Sequence, residues 1–141
     1  MQVFNPKELK ASLSRCLGTD LVFAALMNIE GTIIAKAGNH EAAQNQAAMV
    51  SNLVAEYKDF GNSVFVTPDV EQIVIEVDKF TIIAHCFCNL ILYVSCSTDS
   101  NMGMNKSKVK ALKEILEEKL GGIGIKEAAH IKSPEEGAEE N

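Results

Sequence analysis

The chain has 141 residues, a formal net charge of −6, 47% hydrophobic and 23% charged residues, which fits one globular domain with a single core and excludes wholesale disorder. Its longest apolar runs, such as LVFAALM and TIIAHCFCNLILYV, are too short or too interrupted to span a bilayer, and the first residues lack the basic start and apolar core of a secretion signal; a cytoplasmic protein is expected. The acidic balance, with Arg15 as the sole arginine, argues against a nucleic-acid partner, because phosphate neutralisation needs clustered cations.

The opening VFNPKELKASLSRCLG reads as a short capped helix. Asn5 suits the N-cap, Pro6 the first helical position and Glu8 the reciprocal box position, with Phe4 and Leu9 at the staple positions. Leu9, Leu13, Cys16 and Leu17 recur at helical spacing, and Gly18 is placed to end the helix. Residues 21–37 are rich in apolar and β-branched types and are broken by Gly31, which predicts a hairpin whose turn is Ile29-Glu30-Gly31-Thr32. Gly31 is the structural turn residue, expected to supply a positive φ in a type I turn with a bulge, and Glu30 is expected to be a solvated loop residue.

From His40 to Phe60, Ala43, Ala47, Val50, Val54 and Tyr57 form one row, with Ala42, Met49, Leu53 and Phe60 in the adjacent one; Gly61 is the expected stop. The apolar arc covers roughly 160°, wider than the ~100° that seats a helix on one surface. The extra width calls for something more to bury against, either deeper core or another chain. Gln46 falls within this arc, and a buried amide must find a hydrogen-bond partner; the expectation is that it does so at a subunit contact.

In the next segment Ile73, Ile75 and Val77 alternate with Gln72, Val74 and Glu76, the pattern of a half-buried strand over Val70–Asp78. TIIAHCFC and LILYVSCS follow, divided by Asn89, the second apolar on both faces as a central strand would be. NKSKVKALKEILEEKL then places Val109, Leu112, Ile115, Leu116 and Leu120 on one side and Lys106, Lys110, Lys113 and Glu117 on the other, with Lys110–Glu114 as a supporting pair. The element order α-β-β-α-β-β-β-α predicts an α/β protein of the layered α+β kind, with one five-stranded antiparallel sheet and helices on its faces. From Lys126 onward the segment KEAAHIKSPEEGAEEN carries five acids against two lysines and no apolar period. The division expected is a domain over residues 1–125 and an acidic disordered tail over 126–141.

Candidate chemistry is sparse. Cys86 and Cys88 would project from one face of a strand and could hold a soft metal with Cys96, but free cysteines are among the most buried residue types and core packing explains them better. Four cysteines in a cytosolic chain do not make a disulfide framework, so reduced thiols are expected. His85 points opposite to Cys86 with no acid close in sequence to orient it. Gly121, Gly122 and Gly124 follow a helix instead of preceding one and so cannot cradle a phosphate on a helix dipole. No cofactor, metal site or catalytic residue is expected.

Three stretches carry a resemblance: the hairpin MNIEGTIIAKAG, the middle helix NQAAMVSNLVAEYKDFGNSVF, and LILYVSCSTDSNMGMNKSKVKALKEILEEKL. Together they resemble the roadblock-type domains, a family that includes the roadblock light chains of dynein. Ser51-Asn52, Ala55 and Tyr57, with GMNKSKVKALKEILEEKL, are most similar to the roadblock subunit of the Ragulator, a late endosomal and lysosomal adaptor. The resemblance implies a middle helix on one face of the sheet and the terminal helices on the other. It also implies a non-enzymatic scaffold that pairs with another roadblock-type chain, itself or a paralogue, and serves as a platform for small Ras-like GTPases, as in nutrient and TOR signalling. Pairing would use the strand Glu71–Asp78 and the helix Glu41–Phe60; the interface residues expected are Gln46, Met49, Val50, Leu53, Val54, Tyr57, Gln72, Val74 and Glu76. Direct membrane insertion is not expected, and recruitment to the late endosome or lysosome would run through a partner. The alternatives are a bacterial or archaeal-type homodimer that modulates a GTPase's nucleotide cycle, a dynein-associated light chain and, more remotely, a small-ligand or metal-sensing domain.

Overall fold

The structure is a computed structural model that describes residues 6–38, 43–64, 70–77 and 79–121. The elements expected at Phe4 and Asn5, the domain limit at residue 125 and the acidic segment 126–141 lie outside the described residues. In chain order the elements are α1 (Pro6–Arg15), β1 (Leu21–Asn28), β2 (Ile33–Gly38), α2 (Ala43–Val64), β3 (Gln72–Glu76), β4 (Phe80–Phe87), β5 (Leu90–Ser97) and α3 (Met102–Gly121). The five strands form one antiparallel sheet in the order β2-β1-β5-β4-β3.

Two cores lie on the two faces of this sheet. On one, Ala43, Ala47, Val50 and Val54 of α2 pack against Phe23, Ala25 and Met27 of β1, Ile82 and Ala84 of β4, and Ile91 and Tyr93 of β5. On the other, Leu9 and Leu13 of α1 join Val109, Leu112, Leu116 and Leu120 of α3 over Leu26, Ile83, Leu92 and Val94. The side-chain period of two in a strand splits each strand between these cores, and β5, hydrogen-bonded on both sides, is buried on both faces. Tyr93 ties the layers together by donating its hydroxyl to the Ala43 carbonyl at 2.9 Å. Lys119 Nζ donates to Ser12 Oγ at 2.8 Å, joining α3 to α1.

The β1–β2 turn has the expected construction. Gly31 N–H donates to the Asn28 carbonyl and Asn28 N–H to the Thr32 carbonyl, both at 3.0 Å, with Gly31 at φ +95° and a register shift at Leu26/Met27. This is a type I turn followed by a glycine bulge. Asn28 Oδ1 accepts from the N–H groups of Glu30 and Thr32, and Ser51 of α2 donates to the Ile29 carbonyl at 2.8 Å.

Several expectations need correction. Helix α2 does not stop at Gly61 but continues to Val64; an interior glycine costs about 1 kcal/mol, too little to end a helix that its neighbours hold. Helix α3 begins a turn before the expected start, because Asn101 Oδ1 accepts from Met104 N–H as an N-cap. Ile115 is 47% exposed and does not join the core stripe. The ion pair on α3 is Lys113–Glu117 at 3.6 Å, not Lys110–Glu114. Strand β3 is shorter than Val70–Asp78, running from Gln72 to Glu76, and Asp78 is outside the described residues.

Candidate functional site

Strand β3 is an edge of the sheet, and two hydrogen bonds fix which of its groups are free. Val77 N–H donates to the Phe80 carbonyl at 2.9 Å and Cys86 N–H to the Glu71 carbonyl at 3.0 Å. In an antiparallel ladder hydrogen-bonded pairs alternate with non-bonded ones. With Gln72 opposite His85, Val74 opposite Ile83 and Glu76 opposite Thr81, residues 71, 73, 75 and 77 are the ones whose backbone turns towards β4. Gln72, Val74 and Glu76 therefore point their N–H and C=O groups outward, away from the sheet. The described strand has no proline or bulge that would blunt this edge.

Side chains on β3 divide the same way. Ile73 and Ile75 are half-buried on the α2 side, where they pack against the core of that face. Gln72, Val74 and Glu76 are exposed on the α3 side. On the α2 side the helix adds an apolar flank, with Met49 and Leu53 half-buried, Tyr57 58% exposed and Phe60 67% exposed. These four recur at helical spacing and lie on the flank opposite Ser51, the residue that holds the β1–β2 turn.

Of the interface residues expected from the sequence, Met49, Leu53 and Tyr57 of α2 and Gln72, Val74 and Glu76 of β3 retain accessible surface. Val50 and Val54 do not: at 0% and 1% exposure they are sealed against the protomer's own sheet, so their burial stabilises the fold and not an association. Gln46 also needs correction. It is half-buried, and its Oε1 accepts from Ser95 Oγ at 3.0 Å within the same chain, so the carbonyl end of its amide is satisfied internally. Phe60, the end of the second apolar row in the sequence, is the most exposed large apolar side chain of α2 among the described residues.

Cys86, Cys88 and Cys96 do not converge. Cys86, on β4, packs on the α2 side. Cys88 lies beyond the strand end in a two-residue turn with Asn89, both at positive φ, and packs on the opposite side. The turn reverses the chain after Phe87, so the one-face geometry expected for Cys86 and Cys88 is broken. Cys96, at the far end of β5, is roughly 20 Å of strand from that turn. Burial raises the thiol pKa of all three, that of Cys96 to about 11, which favours the thiol over the thiolate. Among the described residues no group of three His, Cys, Asp or Glu side chains gathers in metal-binding geometry.

His85 faces the α3 side and is 8% exposed, with its Nε2 making no hydrogen bond. Burial first, then Lys113 and Lys110, lowers its pKa, with Glu71 acting in the other direction. A cleft of about 410 Å³ lies between the end of α1, residues 16–20 and α3, with Arg15, Asp20 and Lys108 on its wall. Its polar groups are charged side chains around an open mouth, not a convergent set fixing a ligand.

A single sheet with one long helix on one face, two helices on the other and an open edge after the long helix defines a class of small α+β domains. The fold is that of the roadblock/LC7 domains. No protein-family model matches the sequence. Among solved structures, the chain is similar to MglB of Myxococcus xanthus at a TM-score of 0.76 and 14% identity, over 86% of this chain and 94% of that one. A roadblock/LC7 domain from Streptomyces avermitilis gives 0.68 and 19%, over 80% and 95%. The gliding protein MglB of Thermus thermophilus gives 0.68 and 15%, over 80% and 89%.

Proposed function

We propose that this chain is a non-enzymatic scaffold that pairs through the β3 edge and the exposed flank of α2, and that the paired domain serves as a platform for a small Ras-like GTPase. The observation that carries the reading is the open β3 edge: three outward-facing residues, Gln72, Val74 and Glu76, on a regular strand of the sheet whose one face α2 covers, with Tyr57 and Phe60 of α2 exposed. Such an edge is a template for strand addition. Backbone hydrogen bonds supply register, and burial of Met49, Leu53, Tyr57 and Phe60 supplies the apolar term, at about 25 cal/mol per Å² removed from water. A neighbouring structure of MglB is described as having a tetrameric arrangement, which supports association as a property of the fold.

Within this class the resemblance of the middle and last helices favours an adaptor of the Ragulator type, cytoplasmic and brought to the late endosome or lysosome by a partner, acting in nutrient and TOR signalling. A homodimer that modulates a GTPase's nucleotide cycle is the second reading, favoured by the likeness to MglB. Purification of the chain from its native source, with identification of stoichiometric partners, separates the two. Recovery of a Ras-like GTPase with a paralogous roadblock chain supports the adaptor, and recovery of the GTPase with the chain alone, together with altered GTP turnover, supports the regulator. Sedimentation of Tyr57→Ser/Phe60→Ser tests the pairing surface: association is expected to weaken at least tenfold, and unchanged association refutes the assignment.

A further inference from the structure

We propose that the cleft between α1 and α3 is a docking site for this chain's own segment 131–136, with Ile131 on its apolar floor and Glu135 and Glu136 at Arg15 and Lys108. The inference concerns the α1–α3 side of the sheet and does not depend on the pairing surface.

The cleft is part apolar and part cationic. Lys119 of α3 donates to Ser12 of α1, and beyond that bond, towards the end of α1 and the start of α3, the two helices leave a space of about 410 Å³. Leu17 and Leu112 line it, and Ile115 at its side is 47% exposed, so apolar surface runs from the floor to the rim. Arg15 and Lys108 stand on the wall, and neither has an ion-pair partner among the described residues. Lys108 is turned towards the interior of the cleft. Burial raises the pKa of the Cys16 thiol, another lining group, and Lys108 opposes that rise. Charged groups around an open mouth do not fix a small ligand in one pose, but they suit a chain segment that is anchored elsewhere.

The sequence after α3 supplies the match. In GGIGIKEAAHIKSPEEGAEEN, Ile131 is followed by Lys132 and, across Ser133-Pro134, by Glu135 and Glu136. These are one apolar group, one cation and two acids, set against an apolar floor with one acid, Asp20, and the two cations Arg15 and Lys108. The spacing agrees as well. Proline biases the residue before it towards extended backbone, and four extended residues from Ile131 to Glu135 span about 13 Å. From Ile115 back to Lys108 the axis of α3 covers about 10 Å. Ile131 beside Ile115 therefore brings Glu135 and Glu136 to the level of Lys108. Residues 122–130 have to return only about 9 Å along the axis, from Gly121 to the level of Ile115. So short a tether holds the segment at a local concentration on the order of millimolar, and a contact too weak to form between separate molecules is filled within one.

Carbodiimide coupling of the full chain, read by peptide mass spectrometry, tests the placement, because the reagent joins a carboxylate to an amine only where the two meet. Coupling of Glu135 or Glu136 to Lys108 is expected to exceed coupling to Lys106, Lys110 or Lys113, on the other flank of α3, by at least about fivefold. Ile131→Asp and Arg15→Glu are each expected to lower the Lys108 product at least about threefold with the circular dichroism unchanged, as is salt at about 1 M. Alkylation of Cys16 by iodoacetamide, measured against Cys88 in the β4–β5 turn, is expected to run severalfold faster in Ile131→Asp than in the wild type. Equal coupling to all four lysines overturns the proposal, since it marks diffuse attraction and no seat. Coupling and Cys16 alkylation that are both indifferent to Ile131→Asp overturn it too. In an equal mixture of ¹⁴N and ¹⁵N chains the coupled peptides are expected to carry a single label; mixed labels overturn the intrachain assignment by showing that a second copy supplies the segment.

Discussion

Replacing Gly31 by valine tests how the β1–β2 turn is held. Gly31 sits at φ +95°, and a Cβ built there would lie 3.3 Å from Ser51 Cβ, 3.4 Å from Ser51 Oγ and 3.8 Å from the Ala47 carbonyl. Two terms add. An L-residue in left-handed backbone costs about 1–2 kcal/mol, and more when β-branched. The Ser51 side chain must also give way, which disturbs its 2.8 Å bond to the Ile29 carbonyl, a net contribution of about 1 kcal/mol. The expected loss is about 2–3 kcal/mol, a large share of the stability of a domain this size. Urea unfolding of the wild type, Gly31→Asn and Gly31→Val measures it. The asparagine variant, which tolerates the left-handed region, is expected to lose about 1 kcal/mol less than the valine variant. Glu30→Ala, altering an exposed neighbour in the same turn, is expected within about 0.5 kcal/mol of wild type. A valine variant within about 0.5 kcal/mol of wild type, roughly the precision of the method, would refute the reasoning.

Gly38→Ala is expected to destabilise more than Gly31→Ala in the same unfolding assay, because its Cβ would come 2.5 Å from the Val22 carbonyl and 3.1 Å from Phe23 Cα, backbone atoms that cannot swing aside. Tyr93→Phe is expected to lose about 1 kcal/mol, since it removes the bond to the Ala43 carbonyl while keeping the ring beside Phe23. Stability should also fall as pH drops through about 6.5, the ordinary histidine value, because the unfolded chain takes up a proton there that folded His85 takes up only at lower pH. The difference in urea midpoint between about pH 7.5 and about pH 5.5 is expected to shrink in His85→Phe; an unchanged difference assigns the acid sensitivity to other groups.

Element order, hairpin and central strand were legible because each rests on a local signal: Gly31 between apolar runs, the alternation from Gln72 to Val77, and the two-faced apolar run of β5. The helix limits were less so. Gly61 carries the residue type of a stop, yet the helix runs through it to Val64, and Asn101, an asparagine before a helical run, carries the capping signal that sets the start of α3. The candidate surface was half legible. Periodicity identified the apolar arc of α2 but could not divide it into the part sealed against the sheet, Val50 and Val54, and the part left exposed, Tyr57 and Phe60. Gln46 misled for the same reason: its partner Ser95 is far away in sequence. Which β3 groups face outward depends on the phase of the ladder with β4, which no single strand encodes.

The strand order also has a consequence for how the chain is made. Hairpin β1–β2 and hairpin β3–β4 each close locally, but nothing pairs one with the other until β5 enters between β1 and β4. A ribosome adding roughly 5–20 residues per second thus releases two half-sheets, each with an apolar open edge, before the keystone strand exists. Only with β5 out of the exit tunnel can those edges close. A message truncated between Phe87 and Leu90 would yield a product in which β1 and β4 invite addition as well as the outer strands, β2 and β3, that the finished sheet also has.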